Sequence, residues 1–257
     1  MLALACIIAS TLVVSCDYVT GDDAASDRST TQTISTSVAM YNYVFSNYSA
    51  TPISICKGTL TTSSGTKTIY LVALSGTQIK SNQSTGIITD FEAGFSIQSA
   101  YLTDVKNAMV KYIPNGSNVV LAGHSLGGMI CQQIASDSTM KADYVILNTV
   151  TFGSPLLGWL SREGATQRLG DSSDVVPYLS ISSLFGVTLL WEALGLNVEN
   201  GGYGANLLNA HIQSYANATE WSGWNAIGYY NQTGSIVLDL STKQQIAAPS
   251  GWVSFTY

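Results

Sequence analysis

Charge is scarce in this 257-residue chain: 10 lysines and arginines stand against 16 aspartates and glutamates, a formal net charge of −6. Nothing here supplies the basic stripe that a phosphate backbone requires, which argues against nucleic acid as a partner. The acidic balance also argues against electrostatic docking onto anionic lipid. Histidine is scarcer still, with only His124 and His211. Two imidazoles and no Cys-x-x-Cys give no metal-binding cluster, so neither a metal nor any other cofactor is expected. The apolar run at residues 2–15 is too short to span a bilayer, which takes about 20 residues. No internal repeat and no second domain are evident. Of the 4 cysteines, Cys56 and Cys131 remain beyond the N-terminal region, and Cys131 is expected as a buried free thiol.

Residues 2–15 carry no charged side chain and suit the core of a signal peptide. Their end, Leu12-Val13-Val14-Ser15-Cys16, resembles a bacterial lipobox, in which the cysteine is acylated after cleavage. The expectation is an exported, cell-envelope lipoprotein tethered to a membrane through lipidated Cys16. An ordinary secretory signal cut nearby is the other reading. Behind Cys16 the chain is rich in Asp, Ser, Thr and Ala and buries too little to order itself. Residues 16–33 therefore read as lipidation site and flexible linker, and residues 34–257 as a single domain of ample length for one hydrophobic core.

The chemistry is proposed by Gly123-His124-Ser125-Leu126-Gly127-Gly128. In a Gly-x-Ser-x-Gly elbow the serine occupies a tight turn between a strand and a helix. The flanks fit: residues 118–122 are a short apolar run of strand character, and residues 129–135 read as a helix. A serine hydroxyl is a poor nucleophile until a base takes its proton. His124 adjoins Ser125, and at an elbow its side chain points away from the serine's, which leaves His211 as the base. A carboxylate must then hold the imidazole in the right tautomer. The order Ser, acid, His is the one expected of α/β-hydrolases. Asp174 is the preferred acid and Asp171 its rival, since both follow the buried strand expected over residues 144–152.

Together with Leu74-Ser75-Gly76-Thr77, Ala93-Gly94-Phe95, Thr151-Phe152-Gly153-Ser154-Pro155, Asp174-Val175-Val176-Pro177 and His211 followed by Tyr215, the elbow resembles the fungal-type (class 3) triacylglycerol lipase family. Order and rough spacing match over about residues 35–225. The resemblance implies an α/β-hydrolase fold with Ser125, Asp174 and His211 as catalytic residues. It also implies an oxyanion hole from Thr77 and from the backbone N–H of Leu126, the residue after the nucleophile. Ser75, Glu92 and Leu156 depart from the family's frequent arginine, histidine and arginine, and those departures bear on substrate preference.

Strands alternating with helices indicate a predominantly parallel sheet with helices on both faces. Helices are expected over residues 35–48 and 91–112, strands over 53–62 and 67–74, and a terminal hairpin over 234–246. The apolar stretch 184–196 is read either as a core helix or as an acyl-pocket wall or cap. Residues 79–89 form a second, short and polar lid candidate. The expected function is carboxylic-ester hydrolysis of acylglycerol or related lipid esters. The alternatives are a phospholipase or aryl esterase of the same fold, and a non-catalytic lipid-binding surface lipoprotein.

Overall fold

Val119, Val120, Leu121 and Ala122 explain the layering. Successive residues of a strand point to opposite faces, yet all four are fully buried, so both faces of the sheet must be covered. A computed structural model describes residues 30–46, 51–76, 98–157, 161–178 and 195–247. Its strands are β1 (Thr31–Ile34), β2 (Ile53–Thr62), β3 (Gly65–Leu74), β4 (Asn118–His124), β5 (Val145–Phe152), β6 (Ala165–Asp171), β7 (Leu196–Glu199), β8 (Gly234–Asp239) and β9 (Gln244–Ile246). Its helices are α1 (Ser37–Phe45), α2 (Gln98–Tyr112), α3 (Leu126–Ser136), α4 (Ser138–Asp143) and α5 (Leu207–Gln213).

The sheet runs β1-β8-β2-β3-β4-β5-β6-β7, with β9 also on β2. Pairing is parallel from β3 through to β7 and antiparallel on the flank made by β1, β2, β8 and β9. On one face Val119 and Leu121 pack with Val72, Leu74, Ile53 and Ile55 beneath α2 and α3. On the other, Val120 and Ala122 pack with Leu71, Ala73, Tyr41, Tyr215 and Trp221. The architecture is an α/β sheet of the α/β-hydrolase kind. In such a sheet the functional crevice lies beyond the carboxyl ends of the parallel strands, here the ends at Leu74, His124, Phe152 and Asp171.

Differences from the sequence expectations have local causes. The first helix starts at Ser37 rather than at 35, because Thr36 caps it by accepting from Ala39 N at 3.1 Å. Strand β3 starts earlier, because Thr62 pairs with Gly65 and only Ser63 and Ser64 turn. Ordered pairing begins at Thr31, inside the expected linker, because β8 supplies β1 with an antiparallel partner. The terminal hairpin does not form. Instead β8 pairs with residues 58–62 of β2 and β9 with residues 53–55, so both lie along one strand edge rather than against each other. Cys131 and Cys56 are buried free thiols.

Candidate active site

Ser125 has φ 55° and ψ −124°, and only one other non-glycine described residue, Asn231, has positive φ. Such a backbone costs on the order of 1–3 kcal/mol and persists only where its surroundings enforce it. The enforcement is visible. Ser125 N–H donates to the Phe152 carbonyl at 2.9 Å, tying the elbow to β5. A Cβ on Gly127 would lie 2.1 Å from the Leu74 carbonyl oxygen, so only glycine lets the first turn of α3 press on the end of β3. Ser125 caps α3 without using its side chain. Leu126 opens that helix, so its N–H has no partner one turn back and lies at the positive end of the helix dipole.

Asp174 and His211 meet beside Gly153, just past the end of β5. Asp174 and His211 are 0% and 1% exposed, and His211 Nδ1 lies 2.9 and 3.0 Å from the two carboxylate oxygens of Asp174. Tyr215 donates its hydroxyl to Asp174 Oδ2 at 2.6 Å, and Val176 N–H donates to Oδ1 at 3.0 Å. Burial, then the Asp174 charge, push the Tyr215 phenol well above its ordinary value, so it stays a donor. A carboxylate can only accept, so Nδ1 of His211 carries a hydrogen, which leaves Nε2 as the nitrogen able to take up a proton. That Nε2 is buried and has no hydrogen-bond partner among the described residues.

Asp171, the other candidate acid, is engaged by backbone donors. Its Oδ1 accepts from Ser173 N at 2.6 Å and its Oδ2 from Gly201 N at 2.8 Å, so it shapes the loop that carries Asp174. Arg168 is fully buried on β6 and donates from Nη2 to the carbonyls of Ser154 and Pro177, at 3.0 and 2.9 Å. It thereby joins the loop after β5 to the loop after Asp174. Burial, then the neighbouring Arg162, lower its guanidinium from 12.5 to about 9.

Two contributors escape a reading of the sequence. Gly153 has φ +52°, and a Cβ there would lie 2.6 Å from Asp174 Oδ2 and 3.0 Å from His211 Nδ1. His124, expected from sequence to stand apart from the chemistry, packs against His211. Its ring centroid is 4.5 Å from that of His211, and its Nε2 is 2.9 Å from the His211 carbonyl oxygen. A pair of histidines with opposite prospects was visible in the sequence, whereas their stacking was not.

Thr77, Cys16 and both lid candidates (residues 79–89 and, for its main part, 184–194) lie outside the described residues. Among the described residues no group of three or more His, Cys, Asp or Glu is placed to hold a metal ion. A family model described as Lipase (class 3) matches residues 30–181, a span that takes in the elbow and Asp174. Comparisons with curated proteins and with solved structures gave no match.

Proposed function

The chain belongs to the class 3 lipases, and on that premise we propose that it is a serine ester hydrolase that works through an acyl-enzyme on Ser125. The observation that carries the proposal is the buried Asp174–His211 pair, which commits Nδ1 to the acid and leaves Nε2 as an unengaged base. Ser125 Oγ attacks the ester carbonyl while His211 Nε2 takes its proton. Asp174 holds the resulting imidazolium, and Tyr215 and Val176 N–H hold Asp174. The tetrahedral oxyanion receives the Leu126 N–H and, by resemblance to the family, a donor from Thr77. One such donor is worth on the order of 3 kcal/mol in the transition state. His211 then returns the proton to the departing alcohol, and water, deprotonated in turn by Nε2, releases the acid and restores the serine.

Acylglycerols and related lipid esters are the proposed substrates, because that is the class of ester the family name denotes. Hydrolysis of a 4-nitrophenyl ester series from acetyl to palmitoyl, with wild type and Ser125→Ala, tests both parts. Loss of turnover in the variant supports the serine mechanism, and the chain-length optimum separates lipase from short-chain esterase. Wild type that neither hydrolyses the series nor takes a fluorophosphonate label would favour a non-catalytic lipid-binding protein. The N-terminal segment adds a proposed membrane tether through acylated Cys16. Mass spectrometry finding an unmodified start at Asp17 or later would overturn it.

A further inference from the structure

The chain has only 2 histidines, and the fold stacks one on the other. His124 closes β4 with its ring 4.5 Å from His211 and inclined by 36°. Its Nε2 is 2.9 Å from the His211 backbone carbonyl. A carbonyl oxygen only accepts, so Nε2 of His124 must carry a hydrogen and donate it. The site around it is closed. Tyr41 meets the ring edge-on at 5.3 Å, Phe45 stands at 6.4 Å and Tyr215 at 5.9 Å, and His124 is 1% exposed.

We infer that His124 is a positioning residue for the base: its Nε2–H fixes the carbonyl of the residue that carries the catalytic imidazole, and its neutral ring forms the floor on which that imidazole rests. This inference rests on the serine-hydrolase reading above. The imidazole of His211 is held from opposite ends. Asp174 fixes Nδ1 from the side-chain end, and His124 fixes the main chain from which the ring hangs. Tyr41, whose hydroxyl donates to the carbonyl of the next residue, Ile212, extends the same hold. Without the donor on His124, a buried carbonyl at the base loses its partner and α5 is free to settle elsewhere. An error of about 1 Å in the position of a catalytic group costs about 10²-fold in rate.

Neutrality is the other half of the role. Among the described residues, the titratable groups facing His124 include His211 from α5, Tyr41 from α1 and Tyr215 just after α5, and the nearby Asp174 carboxylate is engaged by His211 and Tyr215. Burial, then the proximity of His211, hold the His124 imidazole well below its ordinary value, and its bond to the His211 carbonyl opposes that only in part. At the moment of catalysis the positive charge therefore sits on His211 alone, next to Asp174.

The test compares His124→Leu with His124→Gln, whose side-chain amide can offer an N–H at similar reach. The expected result is a fall in kcat of about 10- to 100-fold in His124→Leu with little change in KM. Recovery to within about threefold of wild type is expected in His124→Gln. Equal kcat in His124→Leu and wild type, or no recovery in His124→Gln at matched thermal stability, overturns the inference. Should either variant fail to fold, imidazole nitrogen NMR of the wild type decides. The ring of His124 should stay a neutral Nε2–H tautomer from about pH 5 to 8. A His124 that titrates in that window, or carries its hydrogen on Nδ1, overturns the inference equally. A wild type inert to fluorophosphonate is a different failure, because it removes the serine-hydrolase reading itself.

Discussion

Adding a single methyl group at Gly153 should disable catalysis while leaving the fold in place. An ideal Cβ there lies 2.6 Å from Asp174 Oδ2, 3.0 Å from His211 Nδ1 and 3.0 Å from a ring carbon of Tyr215. A carbon–oxygen contact settles near about 3.4 Å, so the carboxylate must retreat by roughly 0.8 Å. The Asp174–His211 bond, now 2.9 Å, then stretches past about 3.5 Å and ceases to be a hydrogen bond. A misplacement of about 1 Å costs about 10²-fold, and complete loss of the acid's hold about 10⁴-fold. Gly153→Ala should therefore lower kcat/KM by about 10²- to 10³-fold. The backbone penalty of a positive φ needs separating from this, and Gly116 provides the control: its φ is +79° and a Cβ there meets nothing within 4 Å. Both substitutions should cost about 1–2 kcal/mol of stability from the left-handed backbone, or about 2–8 °C in Tm. Only Gly153→Ala should lose activity. The assay is steady-state hydrolysis of a soluble 4-nitrophenyl ester beside thermal unfolding of both variants. If Gly153→Ala keeps kcat/KM within about threefold of wild type, the packing argument for the acid–base pair is wrong.

Tyr215→Phe removes the donor to Asp174 Oδ2 and leaves Asp171 N–H, now 3.2 Å from the hydroxyl, without its acceptor. A bond to a charged group is worth about 1.5–3 kcal/mol, so thermal unfolding should show a clear loss of stability, with kcat/KM reduced by about tenfold or more. Asp174→Asn should lower kcat by about 10⁴-fold by misorienting the imidazole. Asp171→Asn should fall far short of that, and equal losses in kcat would return Asp171 to candidacy as the acid. Glu220 gives a pH signature. Burial first, then Asp171 and Glu199 beside it, raise its carboxyl from 4.5 to about 9. The folded state holds this proton more tightly than the unfolded chain, so the stabilisation is complete below about pH 4.5 and is lost as pH rises through about 9. Glu220 is half-buried, and solvent screening mutes the size of the effect but not its sign. Glu220→Gln, neutral throughout, should match wild type near pH 4 and exceed its Tm by a growing margin towards pH 9. A margin that does not change with pH would refute the assignment.

What could be read from sequence followed the range of its signals. The elbow was legible because strand, Gly-x-Ser-x-Gly and helix are contiguous, and the pairing of Asp174 with His211 because few carboxylates and one remaining imidazole follow it. Strand β6 was not. Ala165-Thr166-Gln167-Arg168-Leu169-Gly170-Asp171 holds one large apolar residue, and it becomes a strand because β5 and β7 pair with it on both sides, a tertiary effect that overrides local propensity. Arg168 is buried there for the same reason, its guanidinium tied to carbonyls of two loops that the sequence keeps apart. The sequence shows His124 beside the serine, whereas its neighbour in space is the other histidine, 87 positions away.

The place of β8 sets the order in which this molecule can complete itself. Among the described residues strand β1 pairs with β8 alone, as Thr31 with Asp239 and Ile34 with Ile236, and β8 in turn covers the edge of β2. The first of the described strands therefore waits for almost the last of them, and until then β2 presents a bare edge to whatever else is nearby. Closing so long a loop is slow, and a chain still lacking residues 234–239 is the species most exposed to aggregation. A deletion of residues 234–246 would therefore leave an unfinished sheet, with an open seam along β2.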